Sequence, residues 1–281
     1  MEAQSIKNHL VQSLSHQFSM DEINAFGFWV IPHCQSLGEQ EAFNTLNEVC
    51  EKLLSNIPIQ YIFEAAFFGP LTLKVTPATL IPRPETEELC YLIGKQSADM
   101  SESNGPNIRG LDIGTGSGCI PLYLLHDNPS WTFTAVDISE DALDIAAENA
   151  FHVGVQSRIQ LQCSDVLSWT EFPSDIDLLV SNPPYVKLDE AANMDSRVLQ
   201  HEPHSALFTP ENDPLIFYRK LAELCDAERH RRSTPLYIWL EINQYLAEET
   251  RALFTPFASA EVVRDLSNNP RFVYAIALPN G

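Results

Sequence analysis

Two kinds of hydrophobic pattern divide the chain. Over the first 57 residues, apolar positions recur at helical spacing, as in Ile6, Leu10, Leu14 and again in Phe43, Leu46, Val49, Leu53, with few strand signals. Asp21-Glu22 opens a further helix, and Pro32 and Gly38 punctuate, so this segment predicts a small helical bundle. Beyond it, short apolar runs alternate with helical patterns. Strands are predicted from Leu111 to Ile113, Trp131 to Val136, Ile159 to Gln162, Asp177 to Ser181, Leu236 to Leu240, Ala260 to Val263 and Phe272 to Ala277. Helical spacing fits Glu140 to Val153, Pro214 to Glu228 and Gln244 to Phe254, with Ser139 capping the first of these. Such alternation implies an open, largely parallel α/β sheet. In sheets of this kind ligands bind beyond the carboxyl ends of the strands.

Two motifs stand at those ends. After Leu111-Asp112-Ile113 come three alternating glycines, Gly114, Gly116 and Gly118, and then the helix-compatible Ile120, Leu122, Leu124 and Leu125. Glycine permits a sharp turn and close approach to a ligand, and the following helix presents free N–H groups. The spacing is G-x-G-x-G and not the dinucleotide fingerprint G-x-G-x-x-G, which makes a pyrophosphate the weaker reading. Asp137 closes the next strand, placed to accept both hydroxyls of a ribose. Together these elements point to a nucleoside-bearing cofactor. Further along, Asn182-Pro183-Pro184-Tyr185 follows the run Asp177 to Ser181. Two prolines remove two N–H donors and fix φ, and Asn182 is held extended. The corner displays acceptors, namely the Asn182 side-chain oxygen and the Pro183 carbonyl, and Tyr185 adds a flat face. It suits a planar –NH2 group.

These residues carry a resemblance. The chain resembles the protein-(glutamine-N5) methyltransferases of peptide chain release factors, the HemK/PrmC family, over nearly everything from Pro58 onward. Gln60-Tyr61-Ile62 followed by Phe67-Phe68-Gly69 looks like the linker hairpin of that family, and Leu80-Ile81-Pro82-Arg83-Pro84-Glu85-Thr86-Glu87 is the most family-specific segment. Glu202-Pro203 with Ala206-Leu207, Leu240-Glu241-Ile242 with Gln244, and Arg264-Asp265 with Arg271-Phe272-Val273 also fit. The N-P-P-Y motif alone is shared with DNA adenine methyltransferases, so Leu80 to Glu87 carries the finer assignment.

The resemblance implies an α/β, class I fold dependent on S-adenosylmethionine (SAM). It would be a Rossmann-like seven-stranded sheet whose last two strands, joined by Asp265 to Arg271, form an antiparallel hairpin, preceded by a small N-terminal helical domain. Domains are expected at 1–57 (helical bundle), 58–84 (linker with hairpin) and 85–281 (catalytic). SAM would be held by Asp112, Gly114, Thr115, Gly116, Ser117, Gly118, Asp137, Ile138, Asp165, Val166 and Asn182. The release-factor glutamine of the GGQ motif would meet Asn182, Pro183, Pro184, Tyr185, Arg83 and Glu202. Where some relatives carry an aromatic against the adenine, position 166 is Val; His230 to Pro235 and Glu211 to Pro214 replace family glycines and bear on loop shape. The bundle would help grip the release factor, whereas the sequence by itself leaves release-factor binding and dimerisation equally open.

Charge narrows the partner. With 38 acidic against 17 Lys and Arg residues, the net charge is −21, and no basic stripe appears of the kind that neutralising DNA phosphates needs. DNA is therefore not expected, while a locally basic protein tip suits the acidity. Arg229 to Arg232, the only basic cluster, reads as the charged last turn of a helix. Six cysteines at 34, 50, 90, 119, 163 and 225 form no C-x-x-C pair or Cys/His spacing, so neither zinc nor another metal is expected and reduced cytoplasmic thiols are the plain reading. Cys119 reads as a helix-packing residue, and His201 and His204 as loop residues. No apolar run approaches the ~20 residues of a membrane helix. A cytoplasmic monomer without a membrane partner is expected. An amide nitrogen cannot be deprotonated at neutral pH, so the expected mechanism is alignment by hydrogen bonds, with no general base.

Overall fold

The computed structural model describes residues 1–194 and 196–279, in two compact units. The first comprises Met1–Ala65 with the short helix Ser196–His201. Three helices, Ala3–Leu14, Met20–Gln35 and Glu39–Leu54, bury Ile6, Leu10, Leu14, Ile23, Phe26, Val30, Leu46, Val49 and Leu53 in one core. The second helix is fixed at its start by a capping box in which the Ser19 hydroxyl accepts from Glu22 N–H and the Glu22 carboxylate accepts from Ser19 N–H. Two sequence expectations shift here. Phe43 is 44% exposed with its ring against the edge of His9, and Ala42 takes the buried position one residue earlier. Pro32 does not break its helix but lies within the last turns of Met20–Gln35.

The second unit runs over Ala66–Met194 and from Glu202 onward. Strands β1 (Ala65–Phe68) and β2 (Leu71–Lys74) make a separate two-stranded sheet. Seven further strands form the main sheet: β3 (Arg109–Ile113), β4 (Thr132–Asp137), β5 (Ile159–Cys163), β6 (Leu178–Ser181), β7 (Leu236–Glu241), β8 (Ser259–Arg264) and β9 (Pro270–Ala277). Their order is β5-β4-β3-β6-β7-β9-β8, parallel except for β9, which pairs antiparallel with both β7 and β8. Every residue of β6 and β7 is buried, as expected of central strands covered on both faces. One face packs under helices Pro84–Lys95 and Cys119–Asp127, the other under Ile216–Arg229 and Ala247–Phe254, giving two apolar clusters on either side of the sheet.

Helix Glu140–Val153 begins at the Ser139 cap, whose hydroxyl accepts from Ala142 N–H at 3.2 Å. The order of strands reverses at β3, where β4 lies to one side and β6 to the other. The crevice at such a reversal is where open α/β sheets bind ligands. His204 opens the short helix His204–Leu207 and is not in a loop. The basic cluster also departs from a purely solvated turn: Arg229 ends its helix, but the Arg232 side chain is buried and donates to the carbonyls of Ile176, Thr234 and Pro235.

Candidate active site

The register of β3 against β6 sets Ile113 opposite Ser181, so the glycine turn and the Asn182 corner leave the sheet side by side. The Ser181 hydroxyl donates to the Ile113 carbonyl at 2.7 Å and locks the two strand ends together. Backbone N–H groups of Gly114 and Thr115 both donate to the Val136 carbonyl, at 2.8 and 3.0 Å, which folds the turn back over β4. Gly114 has φ +77°, and a Cβ built there would stand 3.8 Å from the Asn182 carbonyl oxygen, in the space between turn and corner. Gly118, at φ +80°, would bring a Cβ to 3.2–3.3 Å from Leu122 and Ala146, so a side chain here would be strained in its backbone and crowded against both.

One cavity joins these pieces. Its walls include Gly114, Thr115, Gly116 and Ser117 from the turn, Asp137 and Ile138 after β4, Asp165 and Val166 after β5, and Asn182, Pro183 and Pro184 after β6. Arg83 contributes from the segment before helix Pro84–Lys95, and Phe208 and Phe217 add apolar surface. Asp112, Gly118, Tyr185 and Glu202 are not among its walls. Asp137 is already engaged: one carboxylate oxygen accepts Gly116 N–H at 2.8 Å and the other Ser139 N–H at 3.0 Å. Each oxygen keeps a second lone pair for a hydroxyl. Asp165 accepts Leu167 N–H at 2.9 Å and so shapes the turn that buries Val166.

Asp112 lies behind the turn, fully buried, and neither carboxylate oxygen has a hydrogen-bond partner among the described residues; the same holds for the Thr115 hydroxyl. Burial pushes the Asp112 carboxyl up to about 7, with Thr115 drawing it down and Asp137 adding to the rise. Orphaned polar atoms just behind the cavity wall fit a ligand that brings its own cation, as the amino acid moiety and sulfonium of SAM would.

Glu202 supports one wall from behind. Its carboxylate accepts from the Arg83 guanidinium at 2.6 Å and from Ile81 N–H at 3.2 Å, pinning the Leu80–Arg83 stretch to the segment that carries Ser205 and Ala206. Tyr185 packs against the core beneath the corner, where burial pushes its hydroxyl up to about 12. Two residues given no role from sequence stand behind the corner, Thr86 in the cavity wall and Glu241 beyond it. The Thr86 hydroxyl donates to Glu241 Oε2 at 2.8 Å, and Asn182 Nδ2 donates to Thr86 Oγ1 at 3.2 Å. Among the described residues Asn182 Oδ1 has no hydrogen-bond partner. The corner thus spends its donor inward and keeps its acceptors.

Comparison with known proteins agrees with this arrangement. The family model described as "Methyltransferase small domain" matches residues 99–205. The chain is 36% identical over 295 residues to the release factor glutamine methyltransferase of Flavobacterium psychrophilum, spanning 95% of this chain and 98% of that one. The chain belongs to the release factor glutamine methyltransferase family. A second member, from Bacteroides thetaiotaomicron, is 39% identical over 235 residues, covering 82% and 80% of the two chains. Among solved structures, the N-terminal domain of human METTL16 in complex with SAH has a TM-score of 0.52 at 17% identity, over 76% of this chain and 77% of that one, a likeness of fold alone. As a SAM-dependent methyltransferase of this family, the chain has its glycine turn and Asn182, Pro183 and Pro184 of its corner facing one cavity.

Proposed function

We propose that Asn182 Oδ1 and the Pro183 carbonyl accept the two N–H protons of a glutamine side-chain amide, and that the glycine turn, Asp137 and Asp165 hold SAM beside it. The reaction is transfer of a methyl group to the N5 nitrogen of a glutamine in peptide chain release factors. SAM supplies the electrophilic methyl on a sulfonium. What the chain supplies is orientation and charge. An amide nitrogen is a poor nucleophile because its lone pair is delocalised, and two acceptors on its protons rotate that lone pair out of conjugation and toward the methyl. As positive charge grows on nitrogen those hydrogen bonds strengthen, so they stabilise the transition state more than the bound amide. No side chain is needed as a base, since the product nitrogen loses its proton readily to water.

The single observation that carries this reading is the inward-turned Asn182 amino group, which leaves an acceptor-only corner next to the glycine turn. Arg83, held by Glu202, is the substrate-side cation of the cavity wall, and Tyr185 backs the corner from the core. The helical unit at 1–57 grips the release factor, and the enzyme works as a cytoplasmic monomer without DNA or membrane partners. Among the described residues no helix is long and apolar enough to cross a membrane.

Incubation with labelled SAM and release factor, followed by mass-spectrometric mapping of the methyl, tests the reading. Label should sit on the target glutamine and vanish when that glutamine is replaced. Label on duplex DNA with release factor left blank would overturn it.

A further inference from the structure

Thr86 stands in the first turn of helix Pro84–Lys95, buried, between Asn182 at the end of β6 and Glu241 at the end of β7. An ionised carboxylate can only accept a hydrogen bond, and a hydroxyl has one proton. With that proton directed to Glu241 Oε2, Thr86 Oγ1 can only accept from Asn182. Asn182 must then turn its –NH2 toward Thr86 and its oxygen away. The opposite rotamer of the carboxamide would set donor against donor in front of an incoming amide –NH2.

We propose that Glu241, acting through Thr86, is a positioning residue that fixes the Asn182 carboxamide with its oxygen toward the target amide. This rests on the reading of Asn182 as an acceptor for the glutamine. Glu241 is not a wall of the cavity, and Thr86 is its hydrogen-bond partner among the described residues, with no ion pair formed. A buried carboxylate with so little satisfaction costs stability, which sets it apart from the paired acids elsewhere in the fold.

The relay also responds to protons. Burial pushes the Glu241 carboxyl up to about 7, against the Thr86 hydrogen bond and the charges of Arg271 and Arg83, and with Glu85 adding to the rise. The other titratable groups facing it are Cys90 on helix Pro84–Lys95, Cys119 at the start of its helix, Tyr185 after β6 and Tyr218 on Ile216–Arg229. Below that value Glu241 carries a proton that it can donate to Thr86. The hydroxyl is then free to donate to Asn182 Oδ1, which swings the –NH2 into the cavity. Methyl transfer should fall as pH drops through about 7.

The test compares the wild type with Thr86→Val, Thr86→Ser and Glu241→Gln. Three quantities are read: single-turnover methylation of release factor at saturating SAM, SAM affinity by calorimetry, and the side-chain ¹⁵N–H₂ signal of Asn182 by NMR without SAM across about pH 6 to 9. Thr86→Val should lose about tenfold or more in turnover, with SAM affinity changed less than about twofold, and Thr86→Ser should restore most of the loss. Glu241→Gln does not titrate, so its acid limb should flatten and its Asn182 signal should stop moving with pH. Wild-type turnover by Thr86→Val, a parallel loss of turnover and SAM affinity, or an acid limb that persists in Glu241→Gln would each overturn the proposal. An unmethylated release factor with the wild-type enzyme would sink the functional reading instead. In that case a pH-dependent Asn182 signal lost in Thr86→Val would still support the relay, and a pH-independent signal would refute it.

Discussion

The two ends of the parallel strands treat buried acids in opposite ways. At the amino ends, Asp177 is buried and fully served: Asn104 Nδ2 donates to one oxygen at 2.8 Å, Arg109 N–H to the other at 3.0 Å, and Arg232 lies 3.8 Å away. At the carboxyl ends, Asp112 has no hydrogen-bond partner among the described residues and the Glu241 carboxylate has the Thr86 hydroxyl. Both arrangements are central, buried and far from bulk water. The difference is that the first closes a structural joint between β3, β6 and β7, while the second leaves poorly satisfied carboxyls behind the turn and corner that wall the cavity. A carboxylate left without a hydrogen-bond partner among the described residues at one end, and a well-served one at the other, mark where the fold serves chemistry.

Removing Asp177 should give the largest effect and one on stability alone. In Asp177→Ala the buried Arg232 loses its counter-charge, and the unfolding free energy should drop by about 3–5 kcal/mol in urea titrations. A drop under about 1 kcal/mol would place the pair with the weak surface ion pairs. Asn182→Ala does the reverse: it should fold and bind SAM normally yet lose roughly 10²-fold in kcat, about 2.7 kcal/mol. Single-turnover kinetics separate the two, and near-wild-type turnover would reduce the corner to a turn. Asp137→Ala sits between the classes, since that carboxylate both ties Gly116 and Ser139 and faces the cavity. It should weaken SAM by about 1.5–3 kcal/mol in calorimetry; unchanged affinity would take Asp137 out of the site.

The joint and the site were not equally legible in the chain. Strands covered on both faces read as continuous apolar runs, so β6 and β7 were recognisable within a residue of their observed ends, and the Ser139 cap fixed the start of Glu140–Val153. The glycine turn and the Asn182 corner were legible because each is local. That both stand at the carboxyl ends of one sheet is legible too, but the register that sets Ile113 opposite Ser181, 68 residues away, is not. The Thr86 relay spans 155 residues to Glu241 and 96 to Asn182, and no spacing rule reaches that far. In the sequence Arg232 is indistinguishable from its basic neighbours, because sequence shows charge but not direction; only the fold turns it toward the Ile176 and Pro235 carbonyls. Phe43 and Ala42 illustrate the same limit, as periodicity locates a buried stripe only to within one residue.

Asp112→Asn offers the finest discrimination between the two ends. The carboxyl rises from an ordinary 3.8 when unfolded to about 7 when folded, so between those values the folded chain holds more protons than the unfolded one. Stability is therefore fullest below the unfolded value, declines as pH rises toward about 7, and levels off above it. Asparagine has the same shape and no charge. The variant should lose this slope and, at about pH 8, be more stable than the wild type by about 1–2 kcal/mol, the cost of an unpaired carboxylate less that of an unpaired amide. Added SAM should reverse the ranking, because a cationic ligand gains more from the carboxylate than from the amide. Melting curves at about pH 5 and 8, with and without SAM, read all four states. A variant less stable than the wild type at the higher pH, without SAM, would mean that Asp112 is satisfied in the free enzyme. Its end of the sheet would then be as well paired as the end that holds Asp177.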